Sequence, residues 1–406
     1  MPGLKSRLLA LVFVAGAASV WMSASQAAAA DRSRYHDRGA HEFSVHYETW
    51  TDPRRDRDLP VKIYAPQGAD APPVVVFSHG LGGSVEAAGY LGEHLASWGF
   101  LALHVQHPGS DRAVWAGADS RPEILARLRE AVRDPGVTIN RFRDLPFLLD
   151  EIETRVRDGR LDANPRHIGM AGHSFGSHSV LAAAGRAYPA PRGTLRFADP
   201  RIDAGVLLSP PPGNRIASED YDAVFGQVAI PLLHVTGRAD GSPLDPEVSP
   251  QDRLVPFRQI PAAPQILVLF DQADHRVFSG RRVPRAPAWY AQVQADVAAC
   301  ATAFFLDHLR DDREAAAFMG GSDLDAALIA PATVSRRNLP ATPEAPTAAT
   351  TSGSAAIECL ERGSGKRMPG CGTTPARAAG PRRGAGRAPD DGGPGAAARA
   401  DGTGAR

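Results

Sequence analysis

Ile168-Gly169-Met170-Ala171-Gly172-His173-Ser174-Phe175-Gly176-Ser177 decides how this chain is read. An apolar run, 168–171, leads into a serine flanked by glycines at 172 and 176, and a helix-compatible run, 176–187, leads out. Short apolar runs of this kind suit strands buried on both faces. A strand that passes straight into a helix must turn sharply, and a serine on that turn holds its hydroxyl exposed. Glycines on either side remove the Cβ clashes the turn would create. The N–H groups that open the helix point toward any negative charge developing there. The alternative is an ordinary glycine-rich turn between strand and helix, and the surrounding loops decide between the two.

Working outward, the chain alternates apolar strand-like runs with helical patterns. Expected strands cover 43–50, 59–64, 74–78, 101–106, 167–171, 204–208, 231–236 and 265–270. Helical patterns fall at 87–97, 145–156, 176–187 and 288–309, the last with Val293, Val297, Cys300, Phe304 and His308 on one face. Such alternation implies a mostly parallel sheet covered by helices. Almost forty residues separate the strand ending at Gln106 from a helix expected to begin near Asp144. Within them Ser120-Arg121-Pro122-Glu123 has capping-box spacing, and Ile124, Leu125, Leu128 and Val132 line a helical face. A short helix is expected there, over the edge of the site, because the excursion leaves the carboxyl end of a strand.

The ends differ from the middle. Lys5 and Arg7 precede an apolar stretch, 8–22, and Ala28-Ala29-Ala30 offers a small-residue cleavage site. That pattern reads as a signal peptide over 1–30, so a secreted or periplasmic location is expected. The catalytic domain is expected over 31–335. Residues 336–406 are rich in Ala, Pro, Gly and Arg and short of large apolar residues, so they are expected to be disordered. Cys359 and Cys371 lie in that tail and could close a small disulfide loop, whereas Cys300 reads as a core residue. Lys plus Arg and Asp plus Glu are equal at 45 each, which gives no support for nucleic acid as a general partner. No stretch beyond the signal is long and apolar enough to span a membrane. Oligomeric state is not legible.

The loops at the strand ends carry the chemistry. Ser78-His79-Gly80-Leu81-Gly82-Gly83 follows the third strand. Acyl transfer builds charge on the former carbonyl oxygen, and fixed backbone N–H groups stabilise it. Leu81 and Phe175, the residue after the nucleophile, are the expected donors. The loop matches no phosphate-binding glycine pattern. A serine hydroxyl needs a histidine to take its proton. Of the 13 histidines, His178, His234, His275 and His308 follow Ser174. His275 is the expected base, since Asp271-Gln272-Ala273-Asp274-His275 is a polar loop just past a strand. His234 lies within a strand, where it reads as structural. Asp240, in Gly237-Arg238-Ala239-Asp240-Gly241 at another strand end, is the expected acid, in the chain order Ser, acid, His. Asp245, Asp271 and Asp274 compete, the last two standing close enough to His275 to cap its loop instead. His104-Val105-Gln106-His107, with Asp111 near, could be read as metal ligands, but no third ligand is evident and a role in shaping the pocket rim is expected. No cofactor and no metal are expected.

Val76-Phe77-Ser78-His79-Gly80-Leu81-Gly82-Gly83, Leu91-Gly92-Glu93-His94-Leu95-Ala96-Ser97-Trp98-Gly99-Phe100, His104-Val105-Gln106-His107-Pro108-Gly109-Ser110-Asp111 and Gly172-His173-Ser174-Phe175-Gly176 together resemble α/β-hydrolases of the predicted dienelactone hydrolase group, relatives of the platelet-activating-factor acetylhydrolases. Pro231-Leu232-Leu233-His234-Val235-Thr236-Gly237 and Ala273-Asp274-His275-Arg276-Val277-Phe278-Ser279-Gly280 extend the likeness, which covers most of 43–310. It implies an α/β-hydrolase fold with a small helical insertion after the fourth strand. It also implies Ser174, Asp240 and His275 as a triad, Leu81 and Phe175 as oxyanion donors, and ester hydrolysis without a cofactor. Two departures stand out. The elbow has serine where dienelactone hydrolases carry cysteine, and Phe142 follows Asn140-Arg141 where relatives carry proline. The expected function is therefore a serine carboxylic-ester hydrolase acting on small or lipid-like esters. Two alternatives are a phospholipid acetylhydrolase or lipase-like activity, with Trp115, Ile124, Leu125 and Leu128 along an acyl site, and a non-catalytic binding protein that keeps the fold.

Overall fold

The computed structural model describes residues 33–212, 220–281, 283 and 285–340. The expected signal segment and both tail cysteines lie outside them. The element order is β1 (Phe43–Asp52), β2 (Arg57–Pro66), β3 (Pro73–Ser78), α1 (Gly89–Ser97), β4 (Leu101–Val105), α2 (Arg121–Arg133), α3 (Pro135–Arg157), β5 (Asn164–His173), α4 (Phe175–Ala183), β6 (Ala187–Ala190), β7 (Gly193–Arg196), β8 (Ile202–Leu208), α5 (Tyr221–Phe225), β9 (Leu232–Ala239), α6 (Val255–Gln259), β10 (Gln265–Asp274), α7 (Ala288–Arg310), α8 (Arg313–Gly320), α9 (Asp323–Ala327) and β11 (Ala332–Arg337).

Nine strands form one sheet in the order β1-β2-β4-β3-β5-β8-β9-β10-β11. The six from β4 to β10 run parallel, while β1 pairs antiparallel with β2, β2 with β4, and β11 with β10. Residues alternate between the two faces. Val75 and Phe77 of β3 join a core with α1 and α7, where Leu91, Leu95, Val297 and Phe304 sit. Val74 and Val76 face the other way, onto Leu145, Leu148 and Leu149 of α3 and Val180 of α4. Burial of these faces at roughly 25 cal/mol per Å² of apolar surface is the main favourable contribution to folding. Strand order reverses between β3 and β5, with β4 on one side and β8 on the other. The crevice outside the carboxyl ends of strands at such a switch point is where ligands bind in open α/β sheets. The Ser78–Gly83 loop and the Ser174 turn both open there.

Four expectations need correction. The helix expected near Asp144 begins at Pro135, so Arg141 and Phe142 lie inside it. Asp134 caps it by accepting from Gly136 N, Pro135 supplies a preset first turn, and no proline at 142 interrupts it. The helix expected over 176–187 ends at Ala183, and a hairpin of β6 and β7 follows. The expected domain edge at 335 cuts through β11, which pairs with β10 from Ala332 to Arg337. On α2, the residues lining the cleft are Arg129, Val132 and Arg133 rather than Ile124, Leu125 and Leu128. Leu128 and Trp115 pack over Gly82 instead, and Trp115 Nε1 donates to Gly82 O at 2.9 Å.

Candidate active site

Ser174 stands between the end of β5 and the first residue of α4, at φ 53° and ψ −115°. A non-glycine residue at positive φ costs on the order of 1–3 kcal/mol and persists only where its surroundings enforce it. Here α4 packs close under the loop after β3. A Cβ on Gly176 would lie 1.8 Å from Ser78 O, and one on Gly172 would lie 2.4 Å from Gly176 C. Only glycine at both positions lets strand, turn and helix approach so closely.

The structure brings together three side chains from separate loops. Ser174 Oγ lies 3.1 Å from His275 Nε2, and His275 Nδ1 lies 2.9 Å from Asp240 Oδ1. With Asp240 accepting, Nδ1 carries the proton and Nε2 presents its lone pair to the serine hydroxyl. Asp240 is fully buried, with Oδ2 accepting from Thr236 Oγ1 at 2.7 Å. His275 is held from behind, because His173 Nε2 donates to its carbonyl at 3.0 Å. The competing acids are engaged elsewhere. Asp271 meets Arg238 at 3.0 Å, and Asp274 accepts from Tyr290 Oη at 2.7 and 2.9 Å. Asp245 lines the cleft and caps its own loop by accepting from Glu247 N. His178 lines the cleft and accepts from Arg186 Nη1 through Nε2 at 2.7 Å. His234 is buried in β9, edge-on to Phe257, and His308 lies on α7 against Phe304.

Two residues outside the expected set touch the imidazole. Ser209, at the end of β8 with φ 52°, lies 2.7 Å from His275 Nδ1 and donates to Asp240 Oδ1 at 2.9 Å. Arg253 is buried, donates to Asp240 O at 3.2 Å, and sets Nη2 3.3 Å from His275 Nδ1. Burial lowers the pKa of that guanidinium, while Asp240 and Asp252 pull the other way. Ser209 had a readable signal, a polar residue ending an apolar strand between nucleophile and acid; Arg253 had none.

The expected oxyanion donors both line one cleft. Leu81, Ser174, Phe175 and His275 all border a cleft of about 1480 Å³. Among the described residues, neither Leu81 N nor Phe175 N donates to a protein acceptor. The Leu81 loop is pinned on both sides, Gly82 N donating to Ser110 O at 2.8 Å and Gly83 N to Gly80 O at 3.0 Å. His79 Nδ1 donates to Gly80 O at 2.6 Å, while its Nε2 accepts from His107 N at 3.0 Å. His79 is thereby a neutral imidazole of fixed tautomer, and burial and the Arg141 charge hold its pKa well below the usual value. His104 and His107 do not share a site. His104 Nδ1 donates to Ala87 O, and His107 bridges Asp144 Oδ2 at 2.9 Å and Ser78 Oγ at 3.0 Å. Ile139, Phe142, Leu195, Phe197 and Leu244 also line the cleft.

A hydroxyl beside an imidazole oriented by a carboxylate, next to free N–H groups, is equipped to attack a carbonyl and hold the charge that results. No curated protein matches the chain. The family model described as platelet-activating factor acetylhydrolase, isoform II, matches residues 58–120, from the second residue of β2 to the residue that caps α2. Taken with the nine-stranded α/β sheet and the serine turn at its switch point, that match identifies an α/β-hydrolase fold with platelet-activating-factor-acetylhydrolase-like sequence over those residues.

Proposed function

We propose that this chain is a serine carboxylic-ester hydrolase working through an acyl-enzyme. The hydrogen-bond path from Asp240 through His275 to Ser174, on the wall of the cleft, carries the reading. His275 Nε2 takes the Ser174 proton as Oγ bonds to the ester carbonyl carbon. The carbonyl oxygen becomes an oxyanion and is met by the Leu81 and Phe175 N–H groups. Collapse breaks the bond to the alkoxy oxygen, which leaves as alcohol with the proton from His275. Water, deprotonated by His275, attacks the acyl carbon; the acid leaves and Ser174 regains its proton. Asp240 keeps the imidazole in register and offsets imidazolium charge in both halves.

The apolar residues among those lining the cleft favour esters with an acyl or alkyl chain, which supports the lipid-like end of this substrate class. The opening residues 1–30, with their basic start and small-residue end, support export. Purified protein is expected to be labelled by a fluorophosphonate probe and to hydrolyse chromogenic esters, and Ser174→Ala is expected to do neither. Undiminished ester hydrolysis by Ser174→Ala would remove the proposal. A rate that rises with acyl length from two to eight carbons would favour lipid-like over short-chain esters.

A further inference from the structure

Arg141, in the second turn of α3, is entirely buried. Its guanidinium reaches three segments. Nε donates to Ser179 Oγ on α4 at 2.9 Å, and Nη1 to Ser110 Oγ, after β4, at 2.8 Å. Nη2 donates to Ser78 Oγ at 2.9 Å and also to His79 O. The guanidinium also lies over the Phe175 ring, 4.8 Å from its centroid. Every acceptor is a hydroxyl or a carbonyl. The nearest carboxylate on the helix, Asp144, is held by Arg55, Arg57 and His107. Burial pushes the Arg141 pKa down to about 9, against the pull of Asp144 and Asp111. An arginine sealed off without an acid is costly, and packed apolar residues usually serve stability better.

The location of those contacts explains the cost. Ser78 and His79 immediately precede Gly80-Leu81. Ser110 belongs to the segment whose carbonyl receives Gly82 N, and Ser179 and Phe175 belong to the helix that begins at the nucleophile. One planar, five-donor group thus ties the loop carrying Leu81 N to the helix carrying Phe175 N. We propose, on the reading of the site as a serine hydrolase, that Arg141 is a positioning residue for the oxyanion hole. It sets the two N–H donors at a fixed spacing, and its charge lies behind both of them. It touches neither substrate nor Ser174.

The test compares wild type with Arg141→Met, Arg141→Lys and Ser110→Ala, all on a chromogenic ester with active sites counted by fluorophosphonate titration. Misplacing an oxyanion donor costs on the order of 100-fold or more in turnover. Arg141→Met is expected to lose at least about 100-fold in kcat per titrated site, with KM changed less than about threefold. Inhibition by a trifluoromethyl ketone, whose adduct oxygen occupies the hole, is expected to weaken by the same factor as kcat/KM. The methyl ketone, which forms no stable adduct with the serine, is expected to bind as before. Arg141→Lys should recover part of the loss, and Ser110→Ala, which keeps the charge and removes one acceptor, should lose about three- to tenfold. A purely structural role would lower the titratable fraction and leave per-site kcat and the trifluoromethyl ketone constant alone; that result overturns the proposal. If Arg141→Met does not fold, unchanged per-site kcat in both Arg141→Lys and Ser110→Ala overturns it equally. A wild type that is neither labelled nor active would count against the hydrolase reading itself.

Discussion

Asp240→Asn is the substitution whose outcome depends most on this particular site. In a serine triad, loss of the carboxylate removes imidazolium stabilisation and lets the imidazole adopt the wrong tautomer, together about 10⁴-fold in turnover. At about 1.36 kcal/mol per tenfold, that is roughly 5.5 kcal/mol of barrier. Here a second acceptor faces His275 Nδ1, because Ser209 Oγ lies 2.7 Å away and itself donates to Asp240 Oδ1. An amide at 240 still offers an oxygen to the Ser209 hydroxyl, so Ser209 can go on accepting from Nδ1–H. A neutral hydrogen bond contributes a net of about 1 kcal/mol, which preserves five- to tenfold of the rate. Asp240→Asn is therefore expected to fall by about 10³, Ser209→Ala alone by less than about threefold, and the double variant by about 10⁴. The measurement is kcat/KM on p-nitrophenyl acetate, normalised to sites titrated with a fluorophosphonate. A double variant no slower than Asp240→Asn would refute the argument that Ser209 holds the tautomer.

Two further outcomes follow from the buried groups. Burial pushes the imidazoles of His104 and His234 down to about 3 and that of His107 to about 4, so each folds neutral and must gain a proton on unfolding below pH 6.5. Their folded pKa values lie below the unfolded value, so the stability they confer is full above pH 6.5 and is lost as pH falls toward 4 and 3. Near pH 5 each adds up to about 1.4 kcal/mol per pH unit. Urea unfolding should show a midpoint that drops steeply between pH 6.5 and 4.5, and a flat midpoint across that range would contradict the assignment. Gly176→Ala would press a methyl into Ser78 O, at the start of the loop that carries Leu81. Overpacking of this kind costs about 1–3 kcal/mol, so a lower melting temperature with a loss of turnover is expected, and an unchanged melting curve would count against the close approach.

What was legible follows from what local sequence encodes. The strand-turn-helix around Ser174, the loop after β3 and the polar ends of β9 and β10 each show as a break in apolar pattern, and each break holds its candidate residue. The hairpin of β6 and β7 and the edge strand β11 were not legible, since β7 is exposed along its length and β11 reads Ala-Thr-Val-Ser-Arg-Arg. Neither carries a run of large apolar residues; β11 sets only Ala332 and Val334 against the core and is held along the edge of β10.

The buried arginines make the deeper case. A sequence reading assigns an arginine to the wet side, yet Arg141, Arg186 and Arg253 are all inside. Each is drawn in by partners far away in the chain: Ser78, Ser110 and Ser179 for Arg141, the Asp240 carbonyl for Arg253, and, for Arg186, the rings of Tyr188 and Phe225 and the lone pair of His178. These partners adjoin one another only after the sheet has brought together the ends of β3, β4, β5, β8 and β9. The residues that would react stand where strands end, which a single chain reveals. The residues that hold them stand where separate elements meet, and that depends on the fold as a whole.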